Sequence, residues 1–71
     1  MITWQEVYRG IRKIITGWEN HEIAFTIEED STGFFQLQGY NEYRWHSSRH
    51  ITPEGAKEDA EKRTEWKSYG K

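Results

Sequence analysis

The sequence predicts an α+β fold, a two-layer α-β-β-β-α sandwich in which a three-stranded antiparallel sheet carries two helices on one face. Three observations predict it. Apolar residues recur at a helical period as far as Trp18, the period changes to two from Glu22, and Thr52-Pro53-Glu54 has the chemistry of a helix start.

The first helix is expected over residues 3–18. Thr3 and Glu6 have capping-box spacing, and Ile2 with Val7 suits the flanking hydrophobic contact. Trp4, Val7, Tyr8, Ile11, Ile14, Ile15 and Trp18 would share an arc of about 120°, with Arg9, Arg12 and Lys13 opposite. Gly17 or Asn20 would supply the left-handed stop. From Glu22, Ile23, Phe25 and Ile27 alternate with Ala24, Thr26 and Glu28, as in a half-buried strand. Asp30-Ser31-Thr32-Gly33 reads as a turn. A second strand then runs from Phe34 to Gly39 with Phe35 and Leu37 inward. A third is expected from Tyr43 to about His50, with Tyr43, Trp45 and Ser47 facing the core. The second helix starts at Thr52, lines one stripe with Ala56 and Ala60 and has Trp66 to its side. Its pairs Lys57/Glu61, Glu58/Lys62 and Asp59/Arg63 read as a solvated face.

Residues 1–71 form one domain with no cysteine, so an aromatic core must hold it without staples. Trp4, Ile11, Trp18, Phe25, Phe35 and Trp45 are the expected core. Charged residues reach 31% and mean hydropathy is −1.07, yet the net charge of −2 and the apolar periodicity favour a folded module over disorder. No apolar run approaches the ~18 residues of a membrane span, and there is no signal-like start, which together suggest a cytoplasmic protein.

Charge is sorted in blocks. Between Ile14 and Tyr43 lie Glu19, Glu22, Glu28, Glu29, Asp30 and Glu42 and no lysine or arginine, whereas Arg9, Arg12 and Lys13 precede the block and Arg44 and Arg49 follow it. Such sorting bears on the choice of a charged partner. With both helices on one face, the opposite face is expected to stay open and to gather Phe34, Tyr40, Arg44, His46 and His50 beside Thr26, Gln36 and Gln38, a recognition-type mixture. Glu28, Glu29 and Asp30 at a hairpin tip would add an acidic contact for a protein partner.

The element order resembles that of the double-stranded-RNA-binding domain. That family opens its last helix with lysines, whereas Thr52-Pro53-Glu54-Gly55-Ala56-Lys57 offers a glutamate and one lysine, so no residue role carries over. Nucleic-acid binding stands as the alternative, through Arg44 and Arg49 with help from Arg9, Arg12 and Lys13, although a pI of about 5.9 is low for it.

No metal or cofactor is expected. On a strand, His46 and His50 would stand roughly 13 Å apart, too far to share an ion. No nucleophile elbow or phosphate loop appears. The reading from sequence is a non-enzymatic module that acts through a protein partner or as a homodimer: a small accessory, adaptor or inhibitor protein of the sort encoded by phages and mobile elements.

Overall fold

The computed structural model, which describes residues 2–69 and the side chains of residues 2–65, corrects that architecture. Among the described residues there are five strands, not three, and one α-helix, not two. The strands are β1 (Thr3–Arg9), β2 (Arg12–Glu19), β3 (Glu22–Glu29), β4 (Phe35–Gly39) and β5 (Ser47–His50), and the helix is α1 (Pro53–Tyr69). They form one antiparallel meander in the order β1-β2-β3-β4-β5, with α1 packed across β3, β4 and β5 on one face.

The expected first helix is a hairpin. Thr3 pairs with Trp18 in the ladder instead of capping, and Glu6 pairs with Ile15. Two properties of the segment favour strands. It is rich in β-branched and aromatic side chains, and Gly10 at its middle would weaken a helix by about 1 kcal/mol relative to alanine. Gly10 has φ +63 while Ile11 stays outside the left-handed region, as in a II′ turn joining Arg9 to Arg12. The helical arc of apolar residues divides between the two sheet faces. Gly17 stops nothing; it lies within β2, where a Cβ would come within 2.7 Å of the Trp4 ring. Asn20 is left-handed as expected, but with His21 it makes the β2–β3 turn, at φ 53 and 67.

The middle of the chain forms the two expected strands, except that Ala24, expected on the outer side, is buried in the core. Phe25 and Ile27 on β3 and Leu37 on β4 are fully buried, and Phe35 packs against the core. Asp30 Oδ1 accepts hydrogen bonds from the Thr32 amide, the Thr32 hydroxyl and the Phe34 amide, which fixes the β3–β4 turn. The third expected strand is shorter and out of phase. Asn41 enters the left-handed region at φ 57 and residues Asn41–Tyr43 form a 3-10 turn. Tyr43 stacks on Phe25 at 4.8 Å, but Trp45 is 62% exposed. Across β5, Ser48 pairs with Leu37 and His50 with Phe35, so Ser48 and His50 face the core side while Ser47 and Arg49 face away.

Helix α1 begins as expected, with Thr52 Oγ1 accepting from the Gly55 amide at 3.0 Å. Its buried stripe includes Ala56 and Ala60. The side chain of Trp66 lies outside the described residues. The core comprises Ile2, Ile15, Ala24, Phe25, Ile27, Leu37, Tyr43, Ala56 and Ala60, with Trp4 and Phe35 against it. Ile11, expected inside, is 101% exposed at the β1–β2 tip. No helix among the described residues is long and apolar enough to cross a membrane.

Leu37→Ala should cost about 2–5 kcal/mol and unfold much of so small a domain, while Ile11→Ala and Trp45→Ala stay within about 0.5 kcal/mol of the parent in urea melts. Equal destabilisation by all three would contradict this core.

Candidate functional site

On the core side of β5, four polar side chains close on one carboxylate from the helix. Asp59 belongs to the α1 stripe Ala56, Asp59, Ala60, Arg63, whose spacing of three, four and seven puts it against the sheet. Its Oδ2 accepts from His46 Nε2 at 2.9 Å, Ser48 Oγ at 2.8 Å and His50 Nε2 at 3.1 Å. Its Oδ1 accepts from Arg63 Nε at 3.1 Å and Nη2 at 3.0 Å. The Asp59 side chain is 13% exposed. Burial by itself would raise its pKa, but the hydrogen bonds from Ser48, His46 and Arg63 outweigh burial and hold the carboxyl far below the usual carboxylate range. The expected solvated pair Asp59/Arg63 is therefore a clamp between helix and sheet.

His46 and His50 are not on the open face. The pleat sends residues 46, 48 and 50 to one side, and both imidazoles lean onto the same oxygen despite the backbone span expected from strand spacing. Both oxygens of Asp59 are already engaged by these donors. Among the described residues no group of three or more His, Asp or Glu is arranged to hold a metal ion.

Serine, histidine and aspartate in contact invite comparison with a hydrolase relay, and the geometry differs from one. A relay imidazole uses Nδ1 for the carboxylate and Nε2 for the hydroxyl. Here each ring presents Nε2 to both, with Ser48 Oγ 2.9 Å from His50 Nε2 and 3.3 Å from His46 Nε2. Ser48 donates its own proton to Asp59, not to an imidazole nitrogen. The cluster can fasten and orient the helix.

The other residues singled out in the sequence are dispersed. Tyr40 and Arg44 flank the 3-10 turn at the far end of the sheet, and both are exposed. Arg49 lies over the Phe34 ring at 4.6 Å and reaches Asp30 at 3.4 Å. Arg9, Arg12 and Lys13 gather at the β1–β2 end, but Arg12 pairs with Glu28 at 3.5 Å and Lys13 with Glu6 at 3.7 Å. Glu28 and Glu29 end β3, and Asp30 is engaged by its own turn, which lowers its pKa, chiefly through the Thr32 hydroxyl. The open face does exist, and register places Thr26, Gln36 and Gln38 on it as expected, together with Ile14, Thr16 and Trp18. Its polar groups are partly self-satisfied, since Trp18 Nε1 donates to Thr16 Oγ1 and Thr16 to the Gln5 carbonyl, each at 3.2 Å.

Among the described residues, Tyr8, Ile11, Phe34 and Ile51, four of the seven exposed large apolar side chains, collect at the sheet end where β1–β2, β3–β4 and β5–α1 connect, while Tyr40 and Trp45 lie at the other end. The ladder Arg9–Arg12, Ile14–Glu28, Glu29–Phe35, Phe35–His50 brings these three connections side by side. Each carries an exposed apolar group: Ile11, Phe34 and Ile51, the last 78% exposed, with Tyr8 beside them. Two cavities flank the β3–β4 turn at this rim. One, of about 370 Å³, is lined by Ile11, Lys13, Ile15, Ile27, Glu29 and Phe35 among others; the second, of about 360 Å³, by Phe34, Arg49, His50, Ile51, Thr52 and Gly55.

Comparison with protein families, curated proteins and solved structures gives no match. What the protein does must be read from its own surface. Sequence reasoning placed Phe34 at the surface, where it lies, but placed Ile11 in the core and passed over Ile51. Gly10-Ile11 between two β-rich runs was the signal for the first.

Because the folded-state pKa of Asp59 lies below the unfolded one, the clamp's contribution is complete above the ordinary carboxylate pKa of about 4 and is lost as pH falls below it. Asp59→Asn should lose about 2–3 kcal/mol at neutral pH, and its melts should approach the parent's on acidification below about pH 4. A neutral-pH melt unchanged by the substitution would refute the clamp.

Proposed function

We propose that the protein is a non-enzymatic binding module that docks a protein partner on the rim formed by its β1–β2, β3–β4 and β5–α1 connections. The observation that carries this reading is the placement of Ile11, Phe34 and Ile51, exposed apolar side chains on three separate loops along one edge, bordering two open cavities. Loops on a rigid scaffold are where binding residues concentrate, and an apolar patch rimmed by charge is the usual form of a protein-contact surface. The partner it suits presents an apolar projection with charges of both signs around it. A small accessory or inhibitor role in the cytoplasm belongs to this proposal.

Nucleic-acid binding draws less support from the geometry. Arg12 and Lys13 face carboxylates, Arg49 is tied to Phe34 and Asp30, and Arg44 lies at the opposite end from Arg9. No continuous basic stripe links them, as a phosphate backbone would require.

The test is affinity capture from host lysate after nuclease treatment, with Ile51→Asp and Trp45→Ala variants that melt like the parent. A stoichiometric protein retained by the parent and by Trp45→Ala but lost at least tenfold with Ile51→Asp is the expected result. Capture that survives Ile51→Asp, or that nuclease abolishes, would overturn the rim as the protein-docking surface.

A further inference from the structure

The meander leaves two strand edges, and they differ. β5 has 4 residues and runs almost directly into α1, the kind of short edge that discourages pairing with another chain. β1 has 7 residues, with no proline, lysine or positive-φ residue among them, and every one but Trp4 is exposed. Only β2 pairs with it among the described residues.

The two-residue turn decides which backbone groups of β1 are left over. Its closing pair, Arg9 and Arg12, carries the hydrogen bond of the turn, so the alternation of an antiparallel ladder directs the amides and carbonyls of Arg9, Val7, Gln5 and Thr3 toward β2. Those of Tyr8, Glu6 and Trp4 point outward, and no turn or cap bond of the described residues takes them. Both ends of this edge are held in place. The hairpin turn fixes one; at the other, Trp4 Nε1 donates to Glu61 Oε2 at 3.3 Å and Lys57 Nζ stands 5.9 Å from the Trp4 ring.

A row of outward amides and carbonyls on an extended strand is complementary to another extended backbone, and β1 itself meets that condition. Two copies related by a two-fold axis perpendicular to the sheet would pair β1 antiparallel to β1, outward groups opposite outward groups. Three registers then arise. One sets Glu6 directly opposite Glu6 of the second copy, where like charges repel. A second puts Trp4 opposite Gly10, whose φ of 63 ends the extended backbone. The third avoids both, with Gln5 opposite Gln5, Trp4 opposite Glu6, Val7 opposite Thr3 and Tyr8 opposite Ile2. In it Glu6 keeps Lys13 of its own copy at 3.7 Å, and the exposed Val7 and Tyr8 gain cross-strand neighbours.

We infer that β1 is a strand-addition edge that pairs with β1 of a second copy in the Gln5–Gln5 register, joining two five-stranded sheets into one. Each copy uses its long edge once, so the assembly closes at two. The contact involves neither Phe34 nor Ile51 and is separate from the rim.

Sedimentation equilibrium of the full chain from micromolar to millimolar concentration tests it, with thermal melts to verify that each variant is folded. The parent should dimerise. Proline at position 6 removes an outward amide and spares the bonds to β2, so Glu6→Pro should be a folded monomer. Tyr8→Lys places a charge on the edge and should weaken the dimer about tenfold, which covers the case of a proline variant that fails to fold. The register has its own readout. The chain has no cysteine, and Gln5 would form a non-hydrogen-bonded pair with Cα atoms about 4.5 Å apart, within disulfide reach. Under oxidation Gln5→Cys should therefore crosslink about tenfold faster than Val7→Cys. Ile51→Asp should leave the dimer intact. A parent that stays monomeric to millimolar concentration, a dimer unaffected by Tyr8→Lys, equal crosslinking at positions 5 and 7, or a dimer lost with Ile51→Asp would each overturn the inference. A monomeric parent whose lysate capture is lost with Ile51→Asp would remove the dimer and leave the rim reading standing; a Gln5-crosslinked dimer whose capture survives Ile51→Asp would do the reverse.

Discussion

The seating of α1 depends on the carboxylate of Asp59. The helix is mostly charged, and along its described length only Ala56 and Ala60 are buried apolar contacts with the sheet. Two methyl groups bury little area, whereas Asp59 gathers three donors from the β5 side and a guanidinium from its own helix. The alanines matter by being small, since they let the helix approach closely enough for the carboxylate to reach Ser48 and both imidazoles. Every member of the cluster is satisfied, and no buried side-chain polar atom among the described residues lacks a partner. A polar network of that kind rigidifies; half-satisfied, it would destabilise.

Function inherits this constraint. The clamp fixes β5 to α1, and Ile51 and Thr52 lie on the short link between them, so the position of Ile51 on the rim follows from the hydrogen bonds a few residues away on each side. The meander does the rest. By laying β2 between β1 and β3 it turns a sequence of segregated charge into a surface of alternating charge, with Arg12 on Glu28 of β3 and Lys13 on Glu6 of β1. Such a surface favours specific contact over the long-range attraction of a phosphate backbone.

The parts of the fold legible in the sequence are those where local chemistry leaves one solution. Asp30 with Thr32 and Gly33 admits little but a turn, and the alternation through Phe25, Ile27, Phe35 and Leu37 has no helical equivalent. The first eighteen residues were ambiguous because apolar side chains on both faces of a hairpin can mimic one stripe of a helix. The β-branched content and Gly10 decided the matter, and propensity prevailed over periodicity. The phase of β5 turned on Asn41, whose left-handed backbone and following 3-10 turn shift the alternation by one. That slip exchanged Trp45 for His46 and so hid the clamp. Asp59 and Arg63 were visible as a pair, but a pair at i,i+4 does not say which way the helix is turned.

The most direct test of the clamp is amide hydrogen exchange across α1 in the parent and in Asp59→Asn, read at neutral pH. The account requires α1 amides to lose most of their protection while the β2 and β3 amides around Ile15 and Phe25 keep theirs. Helix amides that remain as protected as in the parent would show that Ala56, Ala60 and the contacts of Lys57 and Glu61 with Trp4 hold the helix without the clamp, and would contradict it.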